Sequence, residues 1–275
     1  MPGMSFSLWT CRASYVTRAP LRFPVHAGNA FRGALGFRLE EEVFRPRAET
    51  GPSGLKDRPR PFVLRASHLD GMELPAATPF EVGFNVFAEP AADILRHALS
   101  QFGRGSRLLA ALEFTGWAVE AVHLDLSPRS SPERVRLRIR TPLELKGWDG
   151  AGLPPFAVLA ARLRDRLSAL GAFYGGGAPA LDYVGLAERS AEVRAVAGDV
   201  EARRVERRST RTGQRHSLGG VTGWAEYRGG MDEFVPLIEA GYWTGVGRHT
   251  VWGQGWIEMV EPGAPSMEIS AAPGT

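Results

Sequence analysis

Six histidines and one cysteine, Cys11, are among the side chains in this sequence best suited to proton transfer, nucleophilic attack or metal binding. Imidazole exchanges a proton near neutrality, because its unperturbed pKa is about 6.5. His26 precedes a helical segment in Pro24-Val25-His26-Ala27-Gly28-Asn29. A helix start gathers backbone N–H groups that favour a phosphate. The same position also suits a capping or surface histidine, and the residues alone leave both readings open. His249 beside Arg248, and His216 beside Arg215, fit exposed loop histidines as well as anion contacts. His68, His97 and His123 have no partners at metal-ligand spacing and Cys11 stands alone, so neither a metal site nor another cofactor is expected. No Ser-His-Asp or Cys-His arrangement rises above chance.

The basic residues are the second candidate set. Lys and Arg total 33 against 30 acidic residues, a net charge of +3, and only Lys56 and Lys146 are lysines. A GC-rich genome explains the preference for arginine. The functional alternative is phosphate recognition, since guanidinium forks onto phosphate oxygens and stacks on bases. Arg134, Arg136, Arg138 and Arg140 alternate with Val135, Leu137 and Ile139, giving a strand with one apolar and one arginine face. Arg203, Arg204, Arg207, Arg208, Arg211 and Arg215 crowd together, opposed only by Glu206. Such a run is either a solvated face or a surface for an anionic ligand.

The elements that must position these residues fall into two similar halves. In the first, Phe6–Tyr15 reads as a strand, and Phe31, Leu35, Leu39 and Val43 mark one face of a helix over residues 29–44. Strands follow at Phe62–Ser67 and Phe80–Phe87, then a helix opened by Pro90 and a strand over Trp117–Leu126. The order is β-α-β-β-α-β. Pro128–Pro132 is a polar break, which divides the chain into 1–127, 133–260 and a tail over 261–275, expected to be disordered. In the second half, Phe156, Leu159, Leu163, Leu167 and Leu170 form the stripe of a long helix. Val200–Ser209 and Leu218–Tyr227 fit a hairpin, a short helix ends near Gly241, and the last strand is expected over Val251–Val260. The fold class expected is α+β, two tandem ferredoxin-like units. Hydrophobic residues at 44% and charged residues at 23% are ordinary for a globular chain and exclude collagen-like or disulfide-scaffold classes. No apolar run reaches the ~20 residues of a membrane span, the first residues lack a signal-peptide core, and the single cysteine fits a reducing, cytoplasmic setting.

Gly241, Gly245, Gly247, Gly253 and Gly255 cluster near the end of the chain. A dinucleotide fingerprint would follow a strand and open a helix, whereas this cluster follows a helix and opens a strand; no Gly-Lys-Ser/Thr occurs for a P-loop. The pattern Gly245-x-Gly247, five residues, Gly253-x-Gly255 resembles the glycine-rich loop of the RAMP superfamily of RNA-binding proteins. More narrowly, the sequence resembles the CRISPR-associated endoribonuclease family six. Gly219-Gly220-Val221-Thr222-Gly223-Trp224 resembles its Gly-Phe-Thr-Gly element. Thr141-Pro142-Leu143-Glu144-Leu145-Lys146 resembles the start of its second domain, and Phe31-Arg32-Gly33-Ala34-Leu35-Gly36 resembles its first helix.

The resemblance implies two ferredoxin-like domains and metal-independent cleavage of CRISPR repeat RNA. In that reaction the 2′-hydroxyl attacks the adjacent phosphate, leaving a 2′,3′-cyclic phosphate and a 5′-hydroxyl. His26 is then the expected acid-base group, with Arg32 (or Arg22) stabilising the phosphorane charge and Tyr15 orienting or sharing the proton work. RNA contacts are expected from Arg203, Arg204, Arg207, Arg208, Arg211 and Arg215, and from Gly245, Gly247, Arg248, His249, Gly253 and Gly255. Trp243 and Trp252 are candidates for base stacking, or else core aromatics. The expected partner is a repeat stem-loop, with other CRISPR effector subunits and a second copy of the chain as further candidates. Two rival readings are a non-catalytic RAMP subunit that binds guide RNA, and an arginine-rich metabolic enzyme on a duplicated ferredoxin-like fold.

Overall fold

One long strand buries side chains on both faces, Cys11, Ala13 and Tyr15 on one and Phe6 and Leu8 on the other. The computed structural model describes residues 4–36, 38–39, 58–101, 109–203, 206–208, 215–217 and 219–260. Strand β1 (Ser5–Thr17) is followed by a two-residue strand β2 (Leu21–Arg22), helix α1 (Ala27–Leu35) and strand β3 (Phe62–Arg65). Next come β4 (Glu73–Leu74), β5 (Pro79–Val86), helix α2 (Glu89–Ser100) and β6 (Leu112–Asp125). The sheet order is β3-β5-β1-β6, antiparallel throughout, while β2 pairs with β4 beside it. Two central strands flanked by the second and fourth of a β-α-β-β-α-β unit make a ferredoxin-like sheet.

The second half repeats the plan. Strand β7 (Arg134–Leu143) leads to helices α3 (Phe156–Tyr174) and α4 (Tyr183–Glu192), then β8 (Arg194–Arg203). Short strands β9 (Glu206–Arg208) and β10 (Arg215–Ser217) precede β11 (Gly220–Arg228), helix α5 (Phe234–Thr244) and β12 (Ile257–Val260). The sheet order β12-β7-β11-β8 is the same ferredoxin-like order. All five residues of the apolar stripe on α3 are buried, and each leucine there contributes about 1.5–3 kcal/mol by leaving water. The hairpin is present: Arg203 pairs with Gly220 at the end of β8/β11, and Arg208 with Arg215 in β9/β10.

Three expectations need correction. Helix α1 starts two residues earlier than residue 29 and ends at Leu35, with Gly36 as its C-cap. Helix α4 had no counterpart in the sequence reading. The last strand begins at Ile257, because Thr250–Trp252 form a 3-10 turn and Gly253 and Gly255 adopt φ of 84° and 66°, outside any strand. The expected tail over 261–275 lies outside the described residues.

The two halves share their cores. Phe6, Leu8, Val63, Phe87 and Leu126 pack into the cluster built on α3, α5 and β7, while Val251 packs into the cluster of the first half.

Candidate functional site

Helix α1 begins at His26, whose φ of −130° and ψ of 83° are not helical and whose side chain makes no capping bond. The free N–H of Ala27 instead donates to Asp70 Oδ1 at 2.7 Å. The loop carrying Asp70 is tied back to the one carrying His26, Gly71 N–H donating to the Pro24 carbonyl at 2.9 Å and Phe23 N–H to the Met72 carbonyl at 2.8 Å. The second Asp70 oxygen then stands 4.0 Å from His26 Nδ1. Burial lowers the His26 pKa from its usual value and pushes the Asp70 carboxyl up to about 6. At neutral pH this gives a neutral imidazole facing a carboxylate that is mostly ionised.

The second half of the chain supplies the other wall. His26, Gly28, Asn29, Ser67 and Asp70 line a cleft opposite Thr141, Pro142, Trp252, Gly253 and Gln254. Close approach makes this possible: a Cβ on Gly28 would lie 2.8 Å from the Trp252 carbonyl oxygen, and one on Gly253 would lie 2.8 Å from that of Leu64. Gln254 is 7% exposed, and its Oε1 is buried without a hydrogen-bond partner.

The glycine-rich loop is wound against the end of β7. Gly247 N is followed by Arg248 N–H donating to the Glu144 carbonyl at 2.9 Å, and Gly255 N–H donates to Pro142 at 3.0 Å. Gly247 (φ 81°) and Gly255 (φ 66°) need both positive φ and the missing side chain, since a Cβ would come within 2.3 Å of Glu144 O and 1.9 Å of Val246 O. Gly245 and Gly253 also have positive φ. These glycines therefore have a folding reason to be where they are. Arg248 and His249 both turn to the Glu144 carboxylate, at 2.7 Å and 3.5 Å.

Two of the expected catalytic side chains lie elsewhere than in open contact with the cleft. Tyr15 is 1% exposed, packs against Phe31, Phe80 and Phe114, and donates its hydroxyl to the Leu99 carbonyl at 3.3 Å. Burial raises its pKa far above the ordinary tyrosine value, and its ring belongs to the core of the first half. Arg32, 5% exposed, holds its guanidinium 5.0 Å from the Trp252 ring and so braces the glycine loop against α1. Arg22 is exposed and pairs with Glu73.

The arginine face of β7 is real but partly neutralised. Arg134 and Arg136 both bond the buried Glu226, Arg136 stacks over Trp224 at 4.3 Å, and Arg140 pairs with Glu258 at 2.8 Å. Arg65 and Arg140 both hold a guanidinium over the Trp256 ring, at 4.8 Å and 4.5 Å from its centre. Arg65 also donates to the carbonyls of Tyr242 and Trp243, where Asn85 joins it, and Arg166 takes the Thr244 carbonyl, so cations close the C-terminal end of α5. Trp243 is part-buried against the second core and Trp252 against the first. Of the hairpin arginines, Arg203 bonds Thr222 and pairs with Glu201 at 2.9 Å. Arg207, Arg208 and Arg215 lie on the paired strands β9 and β10, and Arg204 and Arg211 fall outside the described residues. Sequence reasoning missed Asp70, Gln254, Arg65 and Trp256. Among the described residues no group of three or more His, Cys, Asp or Glu side chains could hold a metal ion, and no helix is long and apolar enough to cross a membrane.

Two ferredoxin-like sheets in one chain, with a glycine-rich loop laid across the start of the first helix, define a double ferredoxin-like fold. The family model of the CRISPR-associated endoribonuclease Cas6 matches residues 137–257 of this chain. A product complex of Thermus thermophilus Cas6 (TTHB231) has the same fold at 16% identity, with a TM-score of 0.60 over 93% of this chain and 99% of that one. A product complex of a second Cas6 (TTHA0078) matches at 18% identity and a TM-score of 0.53, over 93% and 100% of the two chains. A partial Cas6-RT-Cas1–Cas2 complex matches at 11% identity and 0.63, over 96% of this chain and 48% of that one. No curated protein matches the chain.

Proposed function

We propose that this endoribonuclease binds the stem-loop of CRISPR repeat RNA in the cytoplasm and cuts each repeat once, without a metal ion. His26 takes the proton of the 2′-hydroxyl, the 2′ oxygen attacks the adjacent phosphorus, and the bond to the 5′ oxygen breaks. That leaving oxygen receives a proton, giving a 2′,3′-cyclic phosphate and a 5′-hydroxyl. The observation that carries the reading is the placement of His26, at the start of α1 in a cleft walled by both halves of the chain. Its burial-lowered pKa keeps the ring neutral and able to accept a proton at pH 7. The division into 1–127 and 133–260 then separates roles, the first unit supplying the proton-transfer group and the second the glycine loop. Arg203, Arg204, Arg207, Arg208, Arg211 and Arg215 hold the RNA stem, and Arg248 and His249 approach the phosphates beside the cut. Arg32 serves by bracing Trp252, in place of direct contact with the phosphorane.

The test is cleavage of an end-labelled repeat stem-loop in EDTA by the wild-type protein and by His26→Ala. The wild type is expected to cut at a single position, leaving a 3′ end one water lighter than a linear phosphate by mass spectrometry. His26→Ala is expected to lose about 10²-fold or more in rate while still shifting the RNA on a gel. A mobility shift with no product from the wild type would point to the non-catalytic subunit instead. Cutting by the variant at the wild-type rate would remove His26 from the chemistry.

A further inference from the structure

One carboxylate serves two neighbours at the start of α1. Asp70 Oδ1 accepts the Ala27 N–H at 2.7 Å, fixing the first turn of the helix, and Oδ2 lies 4.0 Å from His26 Nδ1. Two backbone bonds, Gly71 to Pro24 and Phe23 to Met72, keep the loops that carry these residues in register. Both side chains line the same cleft, and each is about one-third exposed, so the contact is neither sealed in the core nor free in solvent. We propose that Asp70 is a positioning residue for His26: it holds the proton of the neutral ring on Nδ1 and leaves Nε2 as the nitrogen that meets the RNA. This deepens, and rests on, the reading of His26 as the proton-transfer group.

The argument turns on the inventory of donors and acceptors. An ionised carboxylate only accepts, so the ring nitrogen opposite it must be the one that carries hydrogen. The ring's second nitrogen then has a free lone pair. The 4.0 Å separation is long for a hydrogen bond, as proton-transfer contacts in unliganded enzymes often are before substrate tightens them. With its pKa near 6, the Asp70 carboxyl is mostly ionised at pH 7 and stays an acceptor.

Asp70→Asn isolates the effect. The Ala27 N–H still requires an acceptor, so the amide oxygen stays on the helix and the amide N–H₂ turns toward His26. That group donates, which forces Nδ1 to accept and moves the ring proton to Nε2. In a fully buried catalytic triad the analogous tautomer error costs about 10⁴ in kcat; for a part-exposed pair at 4.0 Å the expected fall is about 10- to 100-fold. RNA affinity is expected to be retained or slightly tightened, because the change removes one negative charge from the cleft and no phosphate-binding group.

The primary readout is independent of cleavage: the ¹⁵N shifts of the His26 ring in the RNA-free protein at pH 7.5. The wild type should show the Nδ1–H tautomer and Asp70→Asn the Nε2–H tautomer, with kcat lowered and KM preserved. An Nε2–H ring in the wild type overturns the proposal, without need of any variant. So does wild-type kcat in Asp70→Asn while His26→Ala is inactive. If His26→Ala itself cuts normally, the catalytic reading of His26 fails and the positioning role falls with it, a result distinct from the other two.

Discussion

The same substitution at two positions of one helix should change stability in opposite directions. Gly28 and Gly33 both lie in α1, where replacing glycine by alanine gains about 0.5–1 kcal/mol through lower backbone entropy in the unfolded chain. At Gly33 the new Cβ meets nothing within 4 Å, so the full gain is expected. At Gly28 it would lie 2.8 Å from the Trp252 carbonyl oxygen, a backbone atom that can yield only if the glycine-rich loop moves. Overpacking of this kind costs about 1–3 kcal/mol, which outweighs the helix term. Gly28→Ala should therefore be destabilised by up to ~2 kcal/mol and Gly33→Ala stabilised by about 0.5–1 kcal/mol. Urea denaturation followed by tryptophan fluorescence measures both, with unchanged m-values expected. The loop displaced by Gly28→Ala carries Gly253 and Gln254 away from His26, so its cleavage rate should fall while that of Gly33→Ala is unaltered. Equal stabilisation by the two substitutions would refute the claim that α1 and the loop meet through Gly28.

Further outcomes follow from the same contacts. Arg65→Met leaves the part-buried carbonyl of Tyr242 without this donor and should cost about 1–3 kcal/mol in the same denaturation assay, despite removing a buried cation; an unchanged midpoint would dismiss the capping role. Cys11, buried and with its thiol pushed up to about 12, carries a thiolate fraction of only about 10⁻⁴ at pH 8, so iodoacetamide should label it in urea and not in native buffer, as read by mass spectrometry. Glu144→Gln removes the carboxylate that holds Arg248 and His249, and should tighten RNA binding and steepen the plot of log affinity against log salt by up to about one unit. Asp70 binds its proton more tightly folded than unfolded, about 6 against 3.8, so its contribution to stability is full below pH 4 and declines as pH rises to about 6. Asp70→Asn should flatten that part of the stability profile, and parallel profiles for the two proteins would count against the shift.

Much of this architecture was legible because its signals are local. Alternation along β1 and β7, the leucine stripe of α3 and the proline near the start of α2 each act within a few residues, and each produced the expected element. The burial of Tyr15 was also present in the sequence, since it shares one face of β1 with Cys11 and Ala13. The last strand was read too long because valine and tryptophan suit a strand, whereas the positive φ of Gly253 and Gly255 is set by packing against Leu64 and Val246. Asp70 left no signal at all. It lies far from His26 in sequence, and only the pairing of two loops brings its carboxylate to the start of α1. His26 could be singled out from its neighbours, but the residue that orients it could not.

The exchange of side chains between the two cores has a further meaning for how the chain unfolds and how its cleft can move. Removing either half would strip Phe6, Leu8 and Val63, or Val251, from a cluster that belongs to the other, so neither half is a self-sufficient folding unit. Heat or denaturant should melt the chain in a single cooperative step. The cleft is framed by this shared joint, so a change of its width would have to disturb packing that both halves use. On the proposed function, salt is then expected to speed product departure, because that step would depend on phosphate contacts.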